Sequence, residues 1–377
     1  MAGYVFYALE ITGSDVKVDK IVRVTAVNTD HEFKIRDHFD ESSTTERDAG
    51  LTETAGPDGR QSRYDMMSKL VAKFREWSPA IFLGFNTIVV GERFLRQAFY
   101  ETLYDPFLTT SGSNGRSDVL RMVQGTTIHA PGAIALKRDS EKKYDMSLEG
   151  LLRANGLPPE LPPVEACIAL CRLMNDTAPE VVSTCSRFSY GASVPAFLEE
   201  EPVVVLGSSK FDKISVLAVV NVGIEPSRPS VSIAFDLAIN PDDLLHLSDD
   251  ALAVKLATSP SPLKRIRHSS CPILTSFDEL FPVGGVAPQE LLRRASVLIN
   301  DEAFRRRLLF ATPPQSLAPQ LENGVERERV PRMASDTDRE LMARFHDVAP
   351  AERRAVLDKL QDEELRRMGG VLLSGTA

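Results

Sequence analysis

An α/β layer domain, followed by a small antiparallel β unit and a helical C-terminal region, is what the apolar pattern of this 377-residue chain predicts. Three observations carry that reading. Period-two and period-3.6 runs alternate up to about residue 178, short β runs with polar and proline-containing turns fill 203–236, and charged helical signals return after 288. The length exceeds one hydrophobic core and suits two or three domains. The expected segments are 1–178, 179–284 and 285–377, with a linker near 312–335.

Residues 3–10 (GYVFYALE) are aromatic and β-branched, and 20–28 (KIVRVTAVN) alternate with Val22, Val24 and Ala26 on one face, so two adjacent strands are expected. Residues 40–62 are rich in turn formers and lack apolar periodicity, which predicts a solvated loop. Met67, Leu70, Val71 and Phe74 recur at helical spacing within 64–77, with a strand at 81–85 and a second helix over about 91–103. SLEGLLRANGL (147–157) reads as a helix capped by Ser147 and closed by Asn155-Gly156. Pro162 and Pro163 open a further helix, where missing backbone donors cost little. Helical spacing returns over 288–310, and two charged helices are expected at 336–346 and 349–367.

Composition narrows the function classes. With 43% hydrophobic and 26% charged residues the chain is ordinary and globular, and no apolar run is long enough for a spanning helix. The start MAGYVFYALE has no basic segment and places Glu10 where a signal peptide would be apolar, so the expected location is cytoplasmic, with no membrane partner. Four scattered cysteines read as core thiols, and Cys167 and Cys171, four apart on one helix, fit packing better than a metal pair. A formal charge of −9 argues against indiscriminate coating of nucleic acid but leaves room for a local basic groove.

Several ordered blocks resemble one family. FYALEITGSD (6–15) with DKIVRVTAVNTD (19–30) is similar to the motif FYDYETFGTD and its partner strand DQILQFAAIRTD. GFNTIVVGERFLRQAFYETLYDPF (84–107) is similar to GYNNxRFDDE with the following aromatic helix and YDP turn. GRSDVLRMV (115–123), SLEGLLRANGL and PLKRIRHSSCPIL (262–274) also have counterparts in the same order. The chain thus resembles the bacterial exonuclease I family, DEDD-type 3′-to-5′ exonucleases. The resemblance implies a ribonuclease H-like exonuclease domain, a small β-rich, barrel-like middle domain and a helical C-terminal region.

Enzymes of that family use four carboxylates to hold two divalent metals, which align water and stabilise the leaving oxygen of a phosphodiester. Carried onto this chain, the first acid falls on Ala8 and only the second survives, as Glu10. The acid of the second motif falls on Gly91. Glu92 stands beside it, turned by about 100° if the segment is helical. In the third motif the general base falls on Pro158 and the last acid on Pro163, leaving Glu160 and Glu165 out of register. Glu10 can be read as a weak metal ligand or as an ordinary strand acid. The six histidines are scattered and share no metal-binding spacing.

The resemblance therefore implies a pseudo-exonuclease without cofactor, needing Mg²⁺ or Mn²⁺ only if displaced Glu10, Glu92 and Glu165 sustain residual activity. Without the acid cluster, phosphate is no longer repelled, so single-stranded DNA remains a candidate partner. The expected nucleic-acid contacts are Arg116, Lys264, Arg265, Arg267 and His268, with Arg187 and Lys210 also basic; solvating or pairing roles compete for each. Phe94, Leu95, Phe99 and Tyr100 fit a core better than a base-stacking platform. The charged segment ERRAVLDKLQDEELRRM reads as a solvated helix face or a docking surface for a protein partner.

Overall fold

A computed structural model describes residues 3–43, 61–138, 143–210, 213–278, 283–312 and 333–374. In chain order the first elements are β1 (Gly3–Ile11), β2 (Ile21–Thr29), β3 (Ile35–Ser42), α1 (Arg63–Trp77), β4 (Ala80–Leu83), α2 (Gly91–Glu101), β5 (Gly115–Arg116) and α3 (Val119–His129). There follow α4 (Leu148–Ala154), α5 (Pro163–Thr177), α6 (Pro179–Arg187), α7 (Ser193–Glu200), β6 (Val204–Lys210), β7 (Lys213–Ile224) and β8 (Val231–Asp236). The chain continues through α8 (Asp242–Leu245), α9 (Asp249–Ala257), β9 (Leu263–Arg267), β10 (Ile273–Ser276), α10 (Pro288–Asn300) and α11 (Glu302–Ala311). It closes with α12 (Asp336–Asp347), α13 (Arg353–Leu357) and α14 (Glu363–Ser374).

Two compact units result, one of residues 1–115, 162–168 and 323–377, the other of 116–161 and 169–322. The three consecutive segments expected from sequence are not what the units follow, since each unit is discontinuous along the chain: the C-terminal helices belong to the first, and α10 and α11 to the β-rich one. The expected linker lies largely in 313–332, outside the described residues.

In the first unit the sheet order is β3-β2-β1-β4-β5, with β1 antiparallel to β2 and parallel to β4. Val5 and Tyr7 of β1 with Val24 and Ala26 of β2 pack against Leu70 and Phe74 of α1 and Phe94, Leu95 and Phe99 of α2, all buried. The aromatic cluster of α2 is core, as its spacing suggests. A bulge departs from the expected alternation: Glu10 pairs with Arg23 and Ile11 with Ile21, so Val22 is skipped and Ile21, not Val22, shares the core face of Val24. Strand β3 occupies 40–42 of the expected loop, whose residues 44–60 lie outside the described ones. Its sequence IRDHFDES buries only Phe39, the charged pattern of an edge strand.

The helix expected over 349–367 is broken into a 3₁₀ turn, α13 and α14. Buried Asp338 of α12 is the reason: its carboxylate accepts from the backbone N–H of Gln361 at 2.7 Å and of Asp362 at 3.2 Å, stopping the chain where Asp362 then caps α14.

His346 of α12 fastens this region to α1 and to the segment that follows α2. Its Nε2–H donates to the Leu103 carbonyl at 3.0 Å, so Nδ1 carries the lone pair and accepts from the Tyr64 hydroxyl at 2.7 Å; the ring stacks on Tyr104 at 3.8 Å. Burial, helped by Arg353 and Arg75, holds the imidazole at about 4, against the pull of the Leu103 carbonyl and Asp347. A base with a depressed folded pKa is protonated first in the unfolded chain. Its contribution is therefore full above about pH 6.5 and is lost as pH falls through about 4. Between about pH 7.5 and about pH 5 the loss should be about 2 kcal/mol. Urea unfolding at both pH values should show that loss in the parent but not in His346→Gln; equal pH slopes would exclude it.

The second unit is an antiparallel sheet of order β10-β6-β7-β8-β9. The interior strand β8 is buried on both faces. Val220, Ile233 and Phe235 meet Leu291 and Leu298 of α10 and Phe304 and Leu308 of α11, while Val219, Ala234 and Leu274 meet Phe188, Phe197 and Leu198. Cys167 and Cys171 of α5 are buried. No helix among the described residues is long and apolar enough to cross a membrane.

Candidate functional site

The positions that the resemblance assigns to metal ligands begin on β1. Alternation places Ala8 and Glu10 on the face opposite Val5, Tyr7 and Leu9. Ala8 pairs with Thr25 and Glu10 with Arg23. The Arg23 guanidinium lies 3.3 Å from Glu10 Oε1 and grips Asp40 of β3 through two bonds of 2.8 and 2.7 Å. Asp40 first and Glu10 second hold Arg23 charged, and the guanidinium holds the Asp40 carboxyl below the usual carboxylate range. A fixed cation therefore stands beside the one acid that survives in the first motif.

Gly91 opens α2. A Cβ built there would lie 3.3 Å from Thr87 Cγ2 and 3.7 Å from Leu9 Cδ1, so the position abuts β1 and admits a Cβ only if Thr87 gives by a few tenths of an ångström. Glu92 points elsewhere, as one residue of helical offset requires. It is 2% exposed, and its Oε1 accepts from Arg96 Nε and Thr109 Oγ1, both at 2.9 Å, while Oε2 accepts from the Tyr7 hydroxyl at 3.1 Å. Three donors, one of them the Arg96 guanidinium, make this carboxylate part of the core.

Pro163 is exposed at the first position of α5, and Pro158 and Glu160 are exposed in the preceding segment. Glu165 is half-buried, and its Oε2 is enclosed without a hydrogen-bond partner. These side chains do not fit a pair of divalent cations. Three of the four assigned positions carry no donor, Glu10 is matched to Arg23, Glu92 is committed to its network, and one loose oxygen on Glu165 remains. Among the described residues, no group of three or more His, Cys, Asp or Glu is placed to hold a metal ion.

The basic candidates lie in the second unit. Arg116 donates to the Ser269 carbonyl, and its own carbonyl accepts from Cys271 Sγ at 2.6 Å. Lys264 donates to the Ser261 carbonyl at 2.7 Å and lies 3.4 Å from Asp236. Arg265 pairs at 3.0 Å with Glu225, which is 4% exposed. His268 departs from the expectation of a phosphate contact: its ring is buried with Nε2 2.8 Å from Ser232 Oγ, and burial lowers its pKa, so it is a neutral core group. Arg187 reaches Glu200 at 3.3 Å, and the side chain of Lys210 lies outside the described residues. Arg267, at the end of β9, is exposed.

Sequence reasoning missed Arg23 and the partners of Glu92. Arg23 was accessible in principle, because pairing the two N-terminal strands sets it opposite Glu10. Arg96, four residues after Glu92 on α2, was accessible from helical spacing as well, whereas Tyr7 and Thr109 join Glu92 only in three dimensions.

No protein-family model matches the chain. It is 22% identical over 379 residues to exodeoxyribonuclease I of Escherichia coli strain K12, the match covering 90% of this chain and 78% of that protein. Among solved structures, E. coli exonuclease I in complex with a dA16 oligonucleotide superimposes with a TM-score of 0.79 at 19% identity, covering 100% of this chain and 87% of that one. A moderately thermophilic exonuclease I from Methylocaldum szegediense gives 0.78 at 19% identity (100% and 85%), and an ExoI/SSB-Ct complex gives 0.76 at 20% (100% and 86%).

Proposed function

From the exonuclease I fold that the chain shares with these structures, we propose that it is a pseudo-exonuclease, which binds single-stranded DNA ends without cutting them. The observation that carries this reading is the Glu10–Arg23–Asp40 triplet. A guanidinium stands beside the one surviving first-motif acid, and the other assigned positions are Ala8, Gly91 and Pro163. Phosphate contact falls first to exposed Arg267, with Arg116, Lys264 and Arg265 contributing to the surrounding positive field. The similarity to structures that hold oligonucleotides supports the ligand class. Binding of this kind would use no cofactor, and a cytoplasmic location goes with this reading.

Labelled single-stranded DNA, titrated at two salt concentrations with and without Mn²⁺ and then run on a gel, tests this. The expected result is salt-dependent retention of full-length DNA, with Arg267→Ala lowering the logarithmic salt slope by about 0.7. Mn²⁺-dependent shortening that is lost in Glu10→Ala would overturn it. A second reading, a protein-binding subunit, draws on the ExoI/SSB-Ct complex among the similar structures. A stable hetero-complex isolated from a chain that fails to retain DNA would favour it.

A further inference from the structure

Strand β3 is the outer strand of the first unit's sheet, and its pairing with β2 divides its backbone groups between two sides. The Ser43 N–H donates to the Val22 carbonyl at 2.9 Å, and an antiparallel ladder repeats such bonds at every second residue. In the register of β3 on β2, Glu41, Phe39 and Asp37 therefore turn their backbone groups toward β2, and His38, Asp40 and Ser42 turn theirs outward. Gln61 closes one end of that outer edge: it bridges Ser43, and its Nε2 donates to the Ser42 carbonyl at 3.3 Å. Among the described residues no strand pairs with the outward groups of His38 and Asp40.

Charge on an edge strand ordinarily deters a second edge. Here its order does the opposite. The exposed side chains that alternate along β3 are Arg36, His38 and Asp40: a cation, an imidazole and an anion. Run antiparallel against itself, this row sets Arg36 opposite Asp40 twice. Arg36 makes no ion pair among the described residues. Asp40 accepts from Arg23 at 2.8 and 2.7 Å, one bond on each oxygen, which leaves a lone pair on both. A register displaced by two residues toward Ser42 would place Arg36 against the carbonyl already taken by Gln61 and lose both charge pairs.

We propose that β3 is a self-association edge: two copies of the chain pair antiparallel through it about a two-fold axis at His38, each copy's Arg36 opposite the other's Asp40. The interface is isologous, so one complementary contact counts twice, and the two sheets become continuous. Nothing in this pairing depends on DNA.

Sedimentation velocity of the full chain at rising concentration, without DNA, tests this. The parent should pass from monomer to dimer by about 100 μM. Arg36→Asp places two carboxylates opposite each other at both ends of the pairing, and Asp40→Arg places two guanidinium groups there. Either variant alone should associate about tenfold more weakly than the parent, or worse. An equimolar mixture of the two restores both oppositely charged pairs and should form a heterodimer about as tight as the parent dimer. Thermal unfolding of each variant checks that it is folded, and recovery in the mixture shows that both surfaces are intact. A parent still monomeric at about 100 μM, a folded single variant that dimerises as the parent does, or a mixture no tighter than its components would each overturn the proposal.

Discussion

Ala8→Asp, Gly91→Asp and Pro163→Asp, combined with Arg23→Gln, should raise Mn²⁺ affinity in the presence of single-stranded DNA well above that of the parent. A unit charge 4 Å from a cation contributes about 1 kcal/mol in water and about 4 kcal/mol at an effective dielectric constant of about 20. Three added carboxylates therefore strengthen binding by about a hundredfold or more. Local structure accommodates the changes. Gly91 has space for a Cβ once Thr87 yields slightly, and an acid at the first position of α5 suits the helix dipole. Arg23→Gln is the decisive addition, because otherwise the guanidinium competes with the metal for Glu10. The triple variant with Arg23 intact should bind Mn²⁺ more weakly than the quadruple variant. Calorimetric titration reads the affinity, and the gel reads whether cleavage returns. Equal binding with and without Arg23 would remove the guanidinium from this account.

The strands β1 and β2, helices α1, α2, α4 and α5 and the β-rich unit were legible because their apolar periodicity is strong and local. Ser147 caps α4 as its sequence suggests, with its Oγ accepting from the Gly150 N–H. What was hidden depends on contacts distant along the chain. Asp338 breaks the last helical stretch by accepting from backbone groups more than twenty residues away. The bulge at Val22 shifts one residue out of an otherwise regular alternation. The membership of the C-terminal helices in the first unit depends on Met342, Phe345 and Leu365 packing against Tyr64 and Leu103. For the site, it was plain that the assigned positions 8, 91 and 163 hold no carboxylate, because they are Ala, Gly and Pro. The capture of Glu10 by Arg23 required the strand register. The burial of His268 was hidden because a basic residue in a basic stretch reads as exposed until Ser232 is seen beside it.

Glu92→Leu should lower stability by about 3 to 5 kcal/mol, the cost of removing one partner from a buried charge pair. The leucine fills much of the space but leaves Arg96 without its carboxylate, and it strands the buried hydroxyls of Tyr7 and Thr109. Glu92→Gln retains an acceptor oxygen and should cost less, about 1 to 3 kcal/mol. Urea unfolding at neutral pH measures both. The glutamine variant also separates a packing acid from a displaced metal ligand. If Glu92 serves only the Tyr7–Arg96–Thr109 network, DNA retention by folded Glu92→Gln is the same as in the parent with or without Mn²⁺. If it serves as a ligand, the parent shortens DNA with Mn²⁺ and the folded glutamine variant does not. The network favours the first outcome, since reaching a metal would require the carboxylate to abandon three donors and leave Arg96 largely buried without its partner.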